Sequence, residues 1–287
     1  MWFAYSLFFA IWSSIGMLII KKLLKELNPV LLFLTMLLFA IPFMSILLLI
    51  LGVPVFTANF FKLLVVVSVL DAIAAILYFK ALNISEISLI APISSFNPVF
   101  TLFFAFFLLH ESPTAVKFSG ILVIVLGTYL LNVSHIRSGI LKPFSKLFSD
   151  NGVKLFFAAN FIWAITPIFQ KSAIFQTSPP SPLSVPVMES IIIVLLLSPI
   201  LIRGESVKRF ATKNIKWLIL FGLMTTLGQL AAMSAFSLTN VSYSVAIFKL
   251  SALFSVILGA VFFNEKQIKE RFLGAAVMVL GTILIAL

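Results

Sequence analysis

The chain contains no cysteine, which removes disulfides, thiolate metal sites and cysteine nucleophiles from consideration. Charge is nearly as scarce. Only 10% of the 287 residues are Asp, Glu, Lys or Arg, against about 25% in an ordinary soluble domain. The two histidines, His110 and His135, fall between apolar runs, and no His-Glu-x-x-His pattern exists, so no metal site and no cofactor are expected. What is present is apolar: 62% of residues, with a mean hydropathy of +1.20. A soluble core cannot hide that much apolar surface, and too little polar surface remains to coat it. A soluble enzyme, a disordered chain and a nucleic-acid-binding domain are excluded, and no nucleic-acid partner is expected. The solvent for most of the chain is the lipid bilayer.

A helix needs about 20 apolar residues to cross the hydrocarbon core. That window finds ten spans: 2–20, 30–51, 63–82, 84–109, 118–133, 153–174, 183–202, 215–238, 241–263 and 271–287. Charge, Pro or Gly marks most of the breaks, as at Gly52-Val53-Pro54 and Ser178-Pro179-Pro180-Ser181-Pro182. The first span lacks a basic leader and a small-residue cleavage site, so it reads as a retained helix. The fold class expected is an all-α integral membrane protein.

A shift of 154 residues superimposes Ala81–Leu131 on Ala235–Ile285 without a gap, with 13 of 51 positions identical. Glu111 falls on Glu265, Gly120 on Gly274, and Val125-Leu126-Gly127-Thr128 on Val279-Leu280-Gly281-Thr282. Such self-similarity marks a duplication. The organisation expected is a first five-helix repeat over 1–134, a linker over 135–152 and a second repeat over 153–287. Five spans is an odd number, so the second copy enters the membrane from the opposite side. The copies are then inverted about a pseudo-two-fold axis in the membrane plane, an architecture of secondary transporters.

Alternate loops and their flanks hold 16 of the 20 Lys and Arg, and the other loops and both termini hold 3. Basic loops face the cytoplasm, which places both termini on the extracytoplasmic side.

These features resemble the drug/metabolite transporter superfamily, in particular its EamA-type ten-helix permeases. The most specific part is Ala91-Pro92-Ile93-Ser94-Ser95-Phe96-Asn97-Pro98-Val99-Phe100, followed by Glu111, Gly120 and Gly127. The second copy departs at the prolines, with Ala246 and Ala252 standing where Pro92 and Pro98 do. The Trp-small pair of the family's first helix appears as Trp12-Ser13 and Trp163-Ala164. The resemblance implies two EamA repeats and a multi-pass permease or exporter of a small metabolite, working by alternating access. The membrane expected is the inner membrane of a prokaryotic cell. The superfamily spans amino acids, sugars, nucleotide sugars, amines and drugs. Its nucleotide-sugar and triose-phosphate branches carry a substrate-facing lysine in the ninth helix, where this chain has Lys249.

Three ionisable residues lie well inside spans: Asp71, Glu189 and Lys249. Facing lipid unpaired, they would cost about 8–10 kcal/mol together. They must pair with one another or line a wet interior. As functional groups, Lys249 would attract a carboxylate or phosphate on the substrate, and Glu189 or Asp71 would exchange a proton. As structural groups, they would form a buried Lys–carboxylate pair. Polar stripes mark further candidates for substrate binding. Asn160, Trp163, Pro167 and Gln170 step by three and four in the sixth span, Asn97 and Thr101 share a face in the fourth, and Thr225 and Gln229 are one turn apart in the eighth. Trp12 completes the set. Gly120, Gly127, Gly274 and Gly281 point to close helix packing, inside the chain or at a homodimer seam. Glu111 and Glu265 are read as loop anchors or caps of the next helix, and Lys80 and Lys171 as snorkelling side chains.

The expected function is transport of a small polar or amphiphilic metabolite such as an amino acid. The alternatives are an anionic sugar-phosphate or nucleotide-sugar substrate and, in other classes, a membrane-embedded enzyme or a channel. No catalytic cluster supports the enzyme, the duplicated five-helix unit with polar groups in both copies argues against a channel, and no ATP-binding motif supports a primary pump.

Overall fold

The computed structural model describes residues 1–23, 26–85, 92–133, 149–202, 205–263 and 268–287. Glu265, His135 and most of the 135–152 linker lie outside them. The described chain is helical: α1 (Trp2–Leu23), α2 (Pro29–Leu51), α3 (Ala58–Ile84), α4 (Asn97–Leu109), α5 (Ala115–Val133), α6 (Asn151–Ile174), α7 (Ser184–Ile202), α8 (Glu205–Lys213), α9 (Ile215–Leu238), α10 (Val241–Phe248), α11 (Leu250–Phe263) and α12 (Ile268–Ala286). Among the described residues, six apolar helices are long enough to span a bilayer, and four shorter apolar stretches complete the ten predicted spans.

Local chemistry sets several boundaries. Before α2 the Asn28 side chain accepts from Val30 N at 3.0 Å, and Pro29 occupies the first turn, where its missing N–H costs nothing. The helix stops at Gly52, whose φ of 97° suits a residue without Cβ. Asp150 caps α6, accepting from Gly152 N at 2.9 Å and Val153 N at 3.0 Å. Its carboxylate also accepts from Ser85 Oγ, tying α6 to the end of α3.

One feature lies outside the reach of hydropathy. β1 (Val55–Phe56) and β2 (Thr177–Ser178) pair antiparallel, joining the loop after α2 to the loop after α6. They identify a ribbon end of the bundle. The opposite end, where the lysines and arginines collect, is the basic end.

The duplication appears as a packing rule. α3 lies against α6 and α1 against α9; α4 against α6 and α1 against α11; α3 against α7 and α2 against α9. Each pair becomes the next when the repeats are exchanged. α5 with α12 and α2 with α7 are their own counterparts. The repeats are therefore interleaved, and most close packing runs between them.

The axis is best seen at α5 and α12. A Cβ added to Gly120 would lie 3.0 Å from Gly281 O, and one added to Gly281 would lie 2.8 Å from Gly120 O. Gly127 and Gly274 are related in the same way, at 2.9 and 2.8 Å. Gly120 opposes Gly281 and Gly127 opposes Gly274, so the helices run in opposite directions, as an inverted duplication requires. All four glycine faces are spent inside the chain. Ile121, Ile124, Val125, Met278 and Ile285 close the contact with buried side chains.

The fourth helix of each repeat is broken at one place. In the first, residues 92–94 are helical, Ser95 and Phe96 form a turn, and α4 begins at Asn97 with Pro98 in its first turn. In the second, α10 ends at Phe248 and α11 begins at Leu250. The 154-residue shift sets Lys249 on Ser95. Pro98 removes a helical donor in the first repeat, whereas the second keeps the break with Ala252 at that position.

Gly127→Ala should destabilise the protein by about 1–3 kcal/mol, because two backbones must separate. Gly16→Ala, whose added methyl would lie 3.8 Å from Phe221, should change stability by less than about 0.5 kcal/mol. Denaturant titration of the purified protein in detergent measures both.

Candidate functional site

A buried apolar cluster fills the ribbon half of the bundle. It includes Leu64 and Val67 of α3, Ala105 of α4, Ile168 and Ile174 of α6, Val185 of α7, Met233 and Phe236 of α9, and Val241 and Val245 of α10. On each of these helices a polar residue stands four positions from a cluster member, on the side towards the basic end. Val67 is followed by Asp71, Ala105 preceded by Thr101, Ile174 by Gln170, Val185 followed by Glu189, Met233 preceded by Gln229 and Val245 followed by Lys249. Residues four apart share a helix face, and Lys249 keeps right-handed helical dihedrals at the break. Six polar residues from both repeats therefore border the apolar cluster on the helices that build it.

Three of them meet. The Asp71 carboxyl faces Glu189 and Thr166. Glu189 is 6% exposed and accepts from Gln170 Nε2, at 3.0 Å on Oε2 and 3.3 Å on Oε1. Asp71 Oδ1 and the Oγ1 of fully buried Thr101 have no hydrogen-bond partner. Lys249 is half-buried. No carboxylate among the described residues lies within ion-pair distance of it, and no hydrogen bond holds its Nζ. The lysine–carboxylate pair considered from sequence is not what forms: the two acids face each other, and the cation stands apart.

The ribbon end is further closed by polar links between repeats. Lys171 Nζ donates to Glu111 Oε1 and to Thr239 O, each at 2.6 Å, and Glu111 Oε2 accepts from Val241 N at 2.8 Å. Glu111 thus caps α10, a helix of the other repeat, rather than the helix that follows it. Lys171 is occupied by this network, not extended towards water.

The EamA-like transporter family matches the chain over residues 1–133 and 150–287. Both halves of the inverted duplication are thereby covered. The chain belongs to the EamA-like transporter family. It is a multi-pass integral membrane protein and a membrane transporter of small molecules, and members of the family are transporters and generally not enzymes. A crystal structure of a protein 15% identical in sequence superimposes with a TM-score of 0.74, covering 100% of this chain and 98% of that one, which shows the shared fold. No curated protein matches the chain.

Within this EamA-like transporter, the remaining candidates sit away from the Asp71–Glu189 contact. Asn160 donates through Nδ2 to Ile93 O at 3.3 Å, and Asn97 Nδ2 donates to Asn160 O at 3.0 Å. Both amides brace the break ahead of α4. Trp163 packs on Tyr78, ring centroids 5.2 Å apart. Trp12 Nε1 donates to Met224 O at 2.8 Å, joining α1 to α9, and its ring lies beside Gly228, next to Gln229. The stripe on α6 therefore serves three neighbours: α4 through Asn160, α3 through Trp163 and α7 through Gln170. Pro167 sits inside α6 without ending it.

The Glu111–Lys171 link is not legible as a pair in the sequence, because its partners are 60 positions apart. Each stands there singly, as a charge at a span end. Glu111→Gln should lower stability by about 1.5–3 kcal/mol, the range for hydrogen bonds to a charged partner. Lys213→Gln, which breaks a pair whose lysine side chain is 68% exposed, should produce no measurable change. Thermal unfolding of both variants in detergent compares them.

Proposed function

We propose that this transporter carries a small zwitterionic metabolite of the amino-acid type by alternating access around the polar residues that border the apolar cluster. Lys249 receives the substrate's carboxylate, and the Asp71–Glu189 pair exchanges one proton during the cycle. Gln229 completes the binding wall, Asn97, Asn160 and Trp163 shape the side towards α4 and α3, and Trp12 supports Gln229 from behind. The observation that carries this reading is the meeting of Asp71, Glu189 and Gln170 from both repeats inside the bundle, with one interior cation left without a protein partner among the described residues.

The chemistry follows from charge counting. Two carboxyls facing each other repel when both are ionised, and one proton shared between them removes that repulsion. With that proton in place, the site carries one negative and one positive charge. A zwitterion meets both with opposite sign, while a dianionic phosphate would find one cation and one repelling carboxylate. An amino-acid-type substrate is therefore favoured over a sugar phosphate or nucleotide sugar.

Alternating access requires a barrier on one side of the site at a time. The apolar cluster, the β1–β2 ribbon and the Glu111–Lys171 link supply one at the ribbon end. The positive-inside rule puts that end outside the cytoplasm, and both termini with it.

A thermal-shift screen of purified protein against zwitterionic, anionic and cationic metabolites comes first, with the stabilising compound then used in counterflow with reconstituted vesicles. Saturable counterflow is expected; unsaturable conductance would indicate a channel and turnover without translocation an enzyme. Lys249→Ala should abolish counterflow while leaving folded yield near wild type, and equal loss of protein and activity would instead mark a packing role. Glu189→Gln should remove the pH dependence of uptake while sparing exchange. A pH profile unchanged from wild type would remove the proton role.

A further inference from the structure

The site described above makes no use of α8, a helix that hydropathy does not foresee. Its sequence, Glu-Ser-Val-Lys-Arg-Phe-Ala-Thr-Lys, is strongly two-faced. Phe210 is 5% exposed and packs with Ala211 against Leu23, Leu27 and Leu218 at the basic end of the bundle. Lys208, Arg209, Thr212 and Lys213 are exposed on the other side and border a shallow concavity.

Its depth follows from the helix it precedes. α9 has 24 residues, about 36 Å at 1.5 Å per residue, which already exceeds the roughly 30 Å hydrocarbon core. α8 therefore lies beyond the hydrocarbon, level with the lipid headgroups. Trp217, 37% exposed, stands at the start of α9, where aromatic side chains mark the interface. Lys216 adds a fourth exposed cation within nine positions of Lys208. Glu26 accepts from one of the four, Lys213 Nζ, at 3.1 Å. An apolar anchor, a basic outer face and a position at headgroup depth together describe a surface for anionic lipid.

We propose that the exposed face of α8 binds the headgroups of anionic phospholipids, with Lys208 and Arg209 as the principal contacts. This surface is separate from the transport site and does not depend on the substrate assigned there.

The test uses the full-length protein in neutral detergent, titrated with phosphatidylglycerol or phosphatidylcholine, with retained lipid counted by native mass spectrometry. Wild type should retain phosphatidylglycerol in preference to phosphatidylcholine. The Lys208→Gln/Arg209→Gln double variant should bind phosphatidylglycerol about 30-fold more weakly, equivalent to about 1 kcal/mol per cation removed. The charge-preserving variant Lys208→Arg/Arg209→Lys should bind like wild type, as should Lys62→Gln at the ribbon end. Equal phosphatidylglycerol retention by the double variant would overturn the proposal, and so would a wild type that does not distinguish the two lipids. Stabilisation by inorganic phosphate, lost in the double variant and not reproduced by phosphatidylglycerol, would also overturn it and make α8 a free-phosphate site.

Discussion

Inside a bilayer, helices gain nothing from hiding apolar side chains from one another, because lipid tails are equally apolar. Close backbone approach and satisfied polar groups have to hold them instead. In this chain that requirement is met at α5 and α12, where Gly120 faces Gly281 and Gly127 faces Gly274 with no room for a Cβ between backbones. This contact sits on the two-fold axis and joins the last helices of the two repeats. Because the repeats interleave around it, every other inter-repeat contact inherits its register. A displacement here would shift the helices that carry Asp71, Gln170, Glu189, Gln229 and Lys249.

The fold is nearly symmetric, and its chemistry is not. The 154-residue shift sets Thr225 against Asp71 and Ser95 against Lys249. One half thus contributes an acid where the other has a hydroxyl, and the other a cation where the first has a hydroxyl. Duplication supplies two equivalent bundles that can exchange conformations. Divergence at a few interior positions gives the two halves different charges. Buried ionisable groups are costly in hydrocarbon, and the hydrogen bonds from Gln170 to Glu189 help to retain this pair. The apolar cluster has a complementary role, since a half-bundle filled with apolar side chains separates these polar residues from the ribbon end.

Much of this was legible in the residues. The ten spans followed from apolar run length, and the inversion from an odd number of spans in each copy. Asp71, Glu189 and Lys249 stood out because an ionisable residue inside an apolar run has no cheap place to go. Other features could not be read this way. Hydropathy does not see a two-residue ribbon. It also assigns the basic stretch before α9 to a loop, because the apolar residues of that short amphipathic helix are interrupted by charges and never form a run. The spacing of Asn160, Trp163 and Gln170 sets them on one stripe of α6. Three different helices turned out to face that side, so its members have three different partners.

The sequence by itself determined that the chain lives in lipid, how many times it crosses, and that its halves are inverted copies, because each of these depends only on runs, spacings and parity along one dimension. It also marked which buried positions must be accounted for. Only the tertiary structure decided who meets whom. Asp71 faces Glu189 and not Lys249, Lys171 reaches Glu111 across the repeats, and four glycines are consumed inside the chain rather than at a dimer seam. The physical reason is that pairing in a bundle depends on which helix faces are brought together at a common depth. That depends on the crossing and register of helices far apart in the chain, to which a one-dimensional pattern is blind.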